Sequence, residues 1–272
     1  MTTLIEPSPA LREFVRGYVY EPPGGATQGR PILPVLEMRL GFFPRAACRV
    51  FDHRIHGVDV LARAVVIGPQ TRRWVDLNPS PQLSGLFALF RPGGFHRLFG
   101  RDASALADHA YPATDVIGRG ITSILERVEA ARTPLEMARA VEAYLASRVP
   151  AASGLHAVDR AAHALATSHG GIRAWTLAER AGLGERHFRR LFTERAGMSP
   201  KHYAKVARFT FALSLKTVRP ALTWAEISQR AGYFDQMHLV KDSKALASAP
   251  PSALFGQFDA PTFDPRAKSD SY

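Results

Sequence analysis

Residues 175–203 read WTLAERAGLGERHFRRLFTERAGMSPKHY, and the spacing of their apolar, glycine and arginine residues decides the fold around them. Leu177, Ala178 and Ala181 fall on one side of a short helix. Gly182 follows four residues after Ala178, where a tight turn needs a residue free to take positive φ. Ala178 is small enough to let a second helix cross close by. That helix begins near Glu185, whose carboxylate suits a helix N-terminus, and it spaces Phe188, Leu191 and Phe192 at i, i+3 and i+4. At about 100° per residue, the opposite direction belongs to Arg186, Arg190 and Thr193, with Arg189 on the flank. The helix thus turns a row of guanidinium groups outward. Their planar forks can take O6 and N7 of guanine, or a phosphate, in bidentate fashion. This is the pattern of a helix-turn-helix that enters a major groove; the plainer alternative is a helical hairpin with a solvated basic face.

An internal repeat favours the first reading. Residues 223–246, TWAEISQRAGYFDQMHLVKDSKAL, show the same order of features. Ile227 and Ser228 stand where Leu177 and Ala178 do, Gly232 matches Gly182, and Leu239 matches Phe188 if the second turn is one residue longer. The exposed side of this second unit would carry Gln236, Met237, Val240, Lys241 and Lys244, with Asp235 near the N-cap. Between the units, Pro200 to about Val218 reads as a connector helix packed through Tyr203, Val206, Ala207, Phe211 and Leu215. Eighteen or so residues give roughly 27 Å of helix, against about 34 Å between successive major-groove faces. One chain could therefore read two adjacent groove segments.

On LAERAGLGERHFRRLF, GMSPKHY, the connector around Arg208 and the AGYFDQMHL segment, residues 155–255 resemble the DNA-binding domain of the AraC/XylS family of transcription regulators. The resemblance implies seven helices, two recognition helices in adjacent groove segments, and regulation of nearby promoters. It also makes the N-terminal half similar to the sensor-like domains that precede this module. Two positions depart from the pattern. Ser243 stands where the family usually has an aromatic residue, a loss of core burial worth about 1.5–3 kcal/mol, and a glycine usual near Ser248 is missing. A loosely packed second unit is expected, with sequence readout concentrated in Glu185, Arg186, His187, Arg189, Arg190 and Thr193. Thr176, Lys201 and His202 are candidates for phosphate contact. Trp175 and Trp224 are expected to anchor the first helix of each unit in the core.

The rest of the chain fits such an arrangement. Its 272 residues suffice for two cores. Residues 1–150 are expected to form an α+β domain for sensing or dimerisation, residues 151–258 the all-α DNA-binding domain, and residues 259–272 a flexible tail. Apolar runs at 31–43, 47–51, 60–67 and 83–90, separated by Pro- and Gly-rich turns, suggest strands of a small sandwich or barrel. Helices are expected over 121–132, 134–149 and 156–168. In FRPGGFHRLFG (90–100), two glycines precede a helix; close packing is preferred over a phosphate cradle because no phosphate-loop lysine follows.

The net charge is +11, and its distribution matters more than its sum. Residues 1–150 hold 18 arginines and no lysine against 14 acids, whereas residues 151–272 hold 17 basic residues against 10. The surplus collects beside the repeat, as a nucleic-acid footprint should. Cys48 is the only cysteine, which excludes an intrachain disulfide and a thiolate metal cluster. His53 and His56 share a His-x-x-His spacing that lacks a third ligand, so no metal or cofactor is expected. No catalytic signature is present, and no enzymatic activity is expected. With neither leader nor membrane-spanning run, a cytoplasmic location is expected. The expected partner is double-stranded DNA; RNA polymerase, an unidentified small-molecule effector and a second copy of the chain are further candidates. The alternative is a ligand-binding or interaction protein whose degenerate second unit limits DNA binding.

Overall fold

The computed structural model describes residues 3–23, 30–31, 33–45, 47–51, 59–72, 76–77, 84–151 and 154–255. Among the described residues, ten strands lie in the first part of the chain: β1 (Thr3–Ile5), β2 (Val15–Glu21), β3 (Arg30–Pro31), β4 (Arg39–Phe42), β5 (Cys48–Phe51), β6 (Asp59–Ala62), β7 (Ala64–Ile67), β8 (Asp76–Leu77), β9 (Gly85–Phe90) and β10 (Ala110–Pro112). Six of them build one antiparallel sheet in the order β1-β2-β9-β4-β7-β10, while β3 with β8 and β5 with β6 make two-stranded ribbons. Each expected apolar run contains a strand, and the run at 60–67 is split into β6 and β7. Strands β1, β2, β8 and β10 lie outside the expected runs.

Register explains which face is covered. Leu40 lies opposite both Ala88 and Val66, so the three point to the same side. That side packs against α1 (Gly94–Phe99), α2 (Ala113–Ile117), α3 (Ile121–Ala130) and α4 (Pro134–Ala146) in a core with Tyr18, Phe42, Phe90, Phe95 and Val141. Helix α4 starts where Thr133 accepts the Glu136 N–H and Pro134 supplies the preset first turn.

Seven further helices are described after residue 154: α5 (Ala157–Thr167), α6 (Ala174–Arg180), α7 (Glu185–Ala196), α8 (Pro200–Val218), α9 (Trp224–Arg230), α10 (Gln236–Ala247) and α11 (Pro251–Leu254). Neutral His156 caps α5 through Nδ1, which accepts the Val158 N–H at 3.2 Å. Gly170, at positive φ, closes its other end by donating to the Leu165 carbonyl. These helices share a second core that runs from Leu165 through Phe192 and Tyr203 to Leu239. The connector α8 crosses its centre and is buried on more than one side. Phe209 is fully enclosed there, whereas Phe211, expected in the core, is half-buried and stacks on the His169 ring at 3.6 Å. Leu33, from the sheet half, also belongs to this second core, and Leu36 packs on it. Among the described residues, no helix is long and apolar enough to cross a membrane.

Candidate nucleic-acid interface

The two repeated units share one turn geometry. At the end of α6, Gly182 takes φ 66° and the Leu183 N–H reaches back to the Ala178 carbonyl at 3.0 Å. At the end of α9, Gly232 takes φ 77° and the Tyr233 N–H reaches the Ser228 carbonyl at 2.9 Å. Both are Schellman closures, in which only glycine takes the left-handed residue without steric cost. Four residues separate α6 from α7 and five separate α9 from α10. Phe188 and Leu239 are correspondingly the first fully buried residues of their helices, and the additional residue in the second turn is Phe234 or its neighbour Asp235.

On α7, Glu185, Arg186, His187, Arg189 and Arg190 are all exposed. Arg190 is steadied along the helix by Glu194 and by His187, each at 3.4 Å. Thr193 is half-buried, and its hydroxyl donates to the Arg189 carbonyl. On α10, Gln236, Met237, Lys241 and Lys244 are exposed and Val240 is half-buried. Asp235 caps that helix by accepting the His238 N–H at 2.7 Å. Lys201 is exposed and lines a hollow of about 220 Å³ with Arg189, Glu185 and Trp175, and Thr176 nearby is half-buried. His202 does not present its ring outward: Nε2 meets the Thr71 carbonyl at 2.7 Å.

Two further expectations change. Trp175 is 50 % exposed rather than a core anchor. Helix α6 starts at Ala174, so Ala174 takes the inward first-turn place that Trp224 holds in α9, and Trp175 comes one residue, about 100°, later. The second unit is also not loosely packed. Ser243 is fully buried, and its hydroxyl donates to the Ala249 carbonyl at 2.7 Å, which ties α10 to the turn before α11. Asp242 adds an ion pair to Lys205 of α8 at 3.0 Å. Ser248, at the place of the missing glycine, adopts φ 59°.

The close packing expected of the glycine pair is seen at both glycines. A Cβ at Gly94 would lie 2.2 Å from the Phe14 carbonyl oxygen, which is close packing within the sheet half. A Cβ at Gly93, however, would lie 2.0 Å from Oδ1 of Asp159 on α5. The turn therefore makes room for a carboxylate of the helical half rather than for a bound phosphate. Asp159 is 1 % exposed and accepts from Nε and Nη2 of Arg195 at 2.6 Å each. Beside it, the Ala103 N–H donates to the Glu194 carbonyl at 2.7 Å, and Gly197 at the end of α7 leaves space for Pro69. The last turn of α7 and the first of α8 are thus held against the sheet half. Sequence reasoning had no signal for Asp159, whose partners lie 36 and 66 residues away in the chain. Among the described residues, no cluster of three His, Cys, Asp or Glu side chains could hold a metal. His53 and His56 lie outside the described residues.

Residues 177–257 match the family described as a helix-turn-helix domain, of the AraC type. Solved structures of ToxT from Vibrio cholerae are similar to the whole arrangement. One, from strain O395 and bound to (E)-4-(8-methylnaphthalen-1-yl)but-3-enoic acid, has a TM-score of 0.50 at 10% identity and covers 89% of this chain and 98% of its own. Another ToxT structure, at 1.65 Å, has a TM-score of 0.47 at 10% identity over 93% of this chain and 97% of its own. At such identity the first likeness shows the fold: an antiparallel sheet with helices, followed by the helical domain. No curated protein sequence matches the chain.

Proposed function

We propose that the chain is a sequence-specific transcriptional regulator that reads two adjacent major-groove segments of duplex DNA, with residues 151–258 as the reader. The supporting observation is the pair of equivalent turns at Gly182 and Gly232, joined by a 19-residue connector helix with an exposed arginine row on α7. A helix of that length spans about 28 Å. Arg186, Arg189 and Arg190 carry the main base and phosphate contacts. Selection from a random duplex pool at moderate salt tests this: two conserved blocks centred about one helical turn apart are expected. A pool without enrichment refutes specific binding, and a single block refutes the two-headed reading.

Residues 1–150 serve, in this reading, as a sensing or self-association domain through which RNA polymerase engagement is controlled. The ToxT structure with a bound carboxylic acid supports an acidic effector. So does Arg39, on the sheet face opposite Leu40. Burial lowers its pKa, Glu37 and Glu21 raise it, and its Nε has no hydrogen-bond partner among the described residues. Calorimetric titration with an aromatic carboxylate, repeated on Arg39→Met, tests the assignment; undiminished binding by the variant removes Arg39 from it.

A further inference from the structure

The two recognition helices present different chemistry at matching places. Aligned on Phe188 and Leu239, Arg186 corresponds to Met237 and Arg189 to Val240, so two guanidinium positions have become apolar in the second unit. Met237 is 70 % exposed. Phe234, just before the Asp235 cap, is 91 % exposed, although a phenylalanine there would ordinarily fold back onto the buried Leu239 four residues into the helix. Phe234, Met237 and Val240 thus form an apolar patch, bordered by Lys241 and Lys244 in the same shallow hollow. The lysines supply the charge complement of a phosphate backbone. Within the major groove, the apolar group that a base pair offers is the C5-methyl of thymine.

Resting on the DNA-binding reading above, we infer that the second unit recognises thymine methyl groups through Phe234 and Met237, and so selects an A·T-rich block where the first unit selects guanine. The lysines hold the phosphates on either side and carry no base preference. Removing one buried methyl is expected to weaken binding about fourfold, the equivalent of roughly 0.8 kcal/mol.

The test uses the full-length protein and a site enriched from the random pool. Each thymine of the second block is replaced by uracil, which removes the methyl and nothing else. A loss of about fourfold per contacted position is expected, with no change when the same replacement is made in the first block. In Phe234→Ala Met237→Ala, whose side chains are too exposed to support the fold, the thymine and uracil sites should bind alike. Equal binding of thymine and uracil sites by the unaltered protein overturns the inference while leaving DNA recognition intact. A patch that serves a protein partner instead gives that same result, with unaltered DNA affinity in the double variant. Failure of the pool to enrich any sequence overturns both readings together.

Discussion

Replacing Asp159 by asparagine removes one charge at nearly constant shape. Asp159 is 1 % exposed, and both of its oxygens lie 2.6 Å from nitrogens of Arg195, itself largely buried. In Asp159→Asn the guanidinium stays enclosed, with an amide that can accept one of its hydrogen bonds and no countercharge. Breaking a buried pair from one side costs about 3–5 kcal/mol, most of it the desolvated charge left behind. With a urea m-value of about 2–3 kcal/mol per molar, the midpoint followed by far-ultraviolet circular dichroism should fall by roughly 1–2 M. Arg195→Met alone should cost a similar amount, because Asp159 then faces Gly93 without a partner. The double variant Asp159→Asn Arg195→Met should recover part of the loss, since no formal charge remains buried. A shift under about 0.3 M in the single variant, or additive losses in the double, would refute the argument that the pair is held by burial.

Other perturbations have equally definite outcomes. Ser248→Gly relieves a left-handed residue and should stabilise the protein by about 1 kcal/mol, read as a higher urea midpoint. Ser243→Phe should destabilise by about 1–3 kcal/mol, because the position is already enclosed and its hydroxyl already partnered; a gain in both stability and DNA affinity would contradict this. The pKa of His156 lies below the usual histidine value, first through burial and then through nearby Arg195. The unfolded chain therefore binds this proton more readily, so the contribution of His156 is complete above the unfolded pKa and declines as pH falls below about 6.5. Protonation also removes the Nδ1 acceptor that caps α5, so His156→Asn, which caps without titrating, should flatten stability between about pH 5 and 7.

The helical half was legible because its signals are local. A glycine four residues after a small residue marked both turns, apolar residues at i, i+3 and i+4 located α7, and the repeated order of features located α10. The length of the second turn could be read from the displaced Leu239. Trp175 was misplaced because one residue of register at a helix start turns a side chain through about 100°, and Arg173 provides no side-chain cap to mark the start. Ser243 was read as a defect because its compensation is a carbonyl beyond the end of the helix. The Gly93 turn showed that a close approach was needed without showing to what, since Asp159 reaches it from another part of the chain. Phe211 was preferred to Phe209 on a one-sided pattern, whereas α8 is covered on more than one side.

The clasp at the end of α7 makes that helix a lever. The two hydrogen bonds described above between the halves, from the Ala103 N–H to the Glu194 carbonyl and from His202 Nε2 to the Thr71 carbonyl, lie near its C-terminal pivot, whereas Arg186 projects from the far end. Eight residues separate Arg186 from Glu194, an arm of about 12 Å. A tilt of roughly 5° at the pivot moves the distal guanidinium by about 1 Å, enough to break a hydrogen bond to a base edge. If α7 reads bases as proposed, a ligand that displaced the Pro69–Ala103 ledge by a fraction of an ångström would detune that contact before it altered the fold.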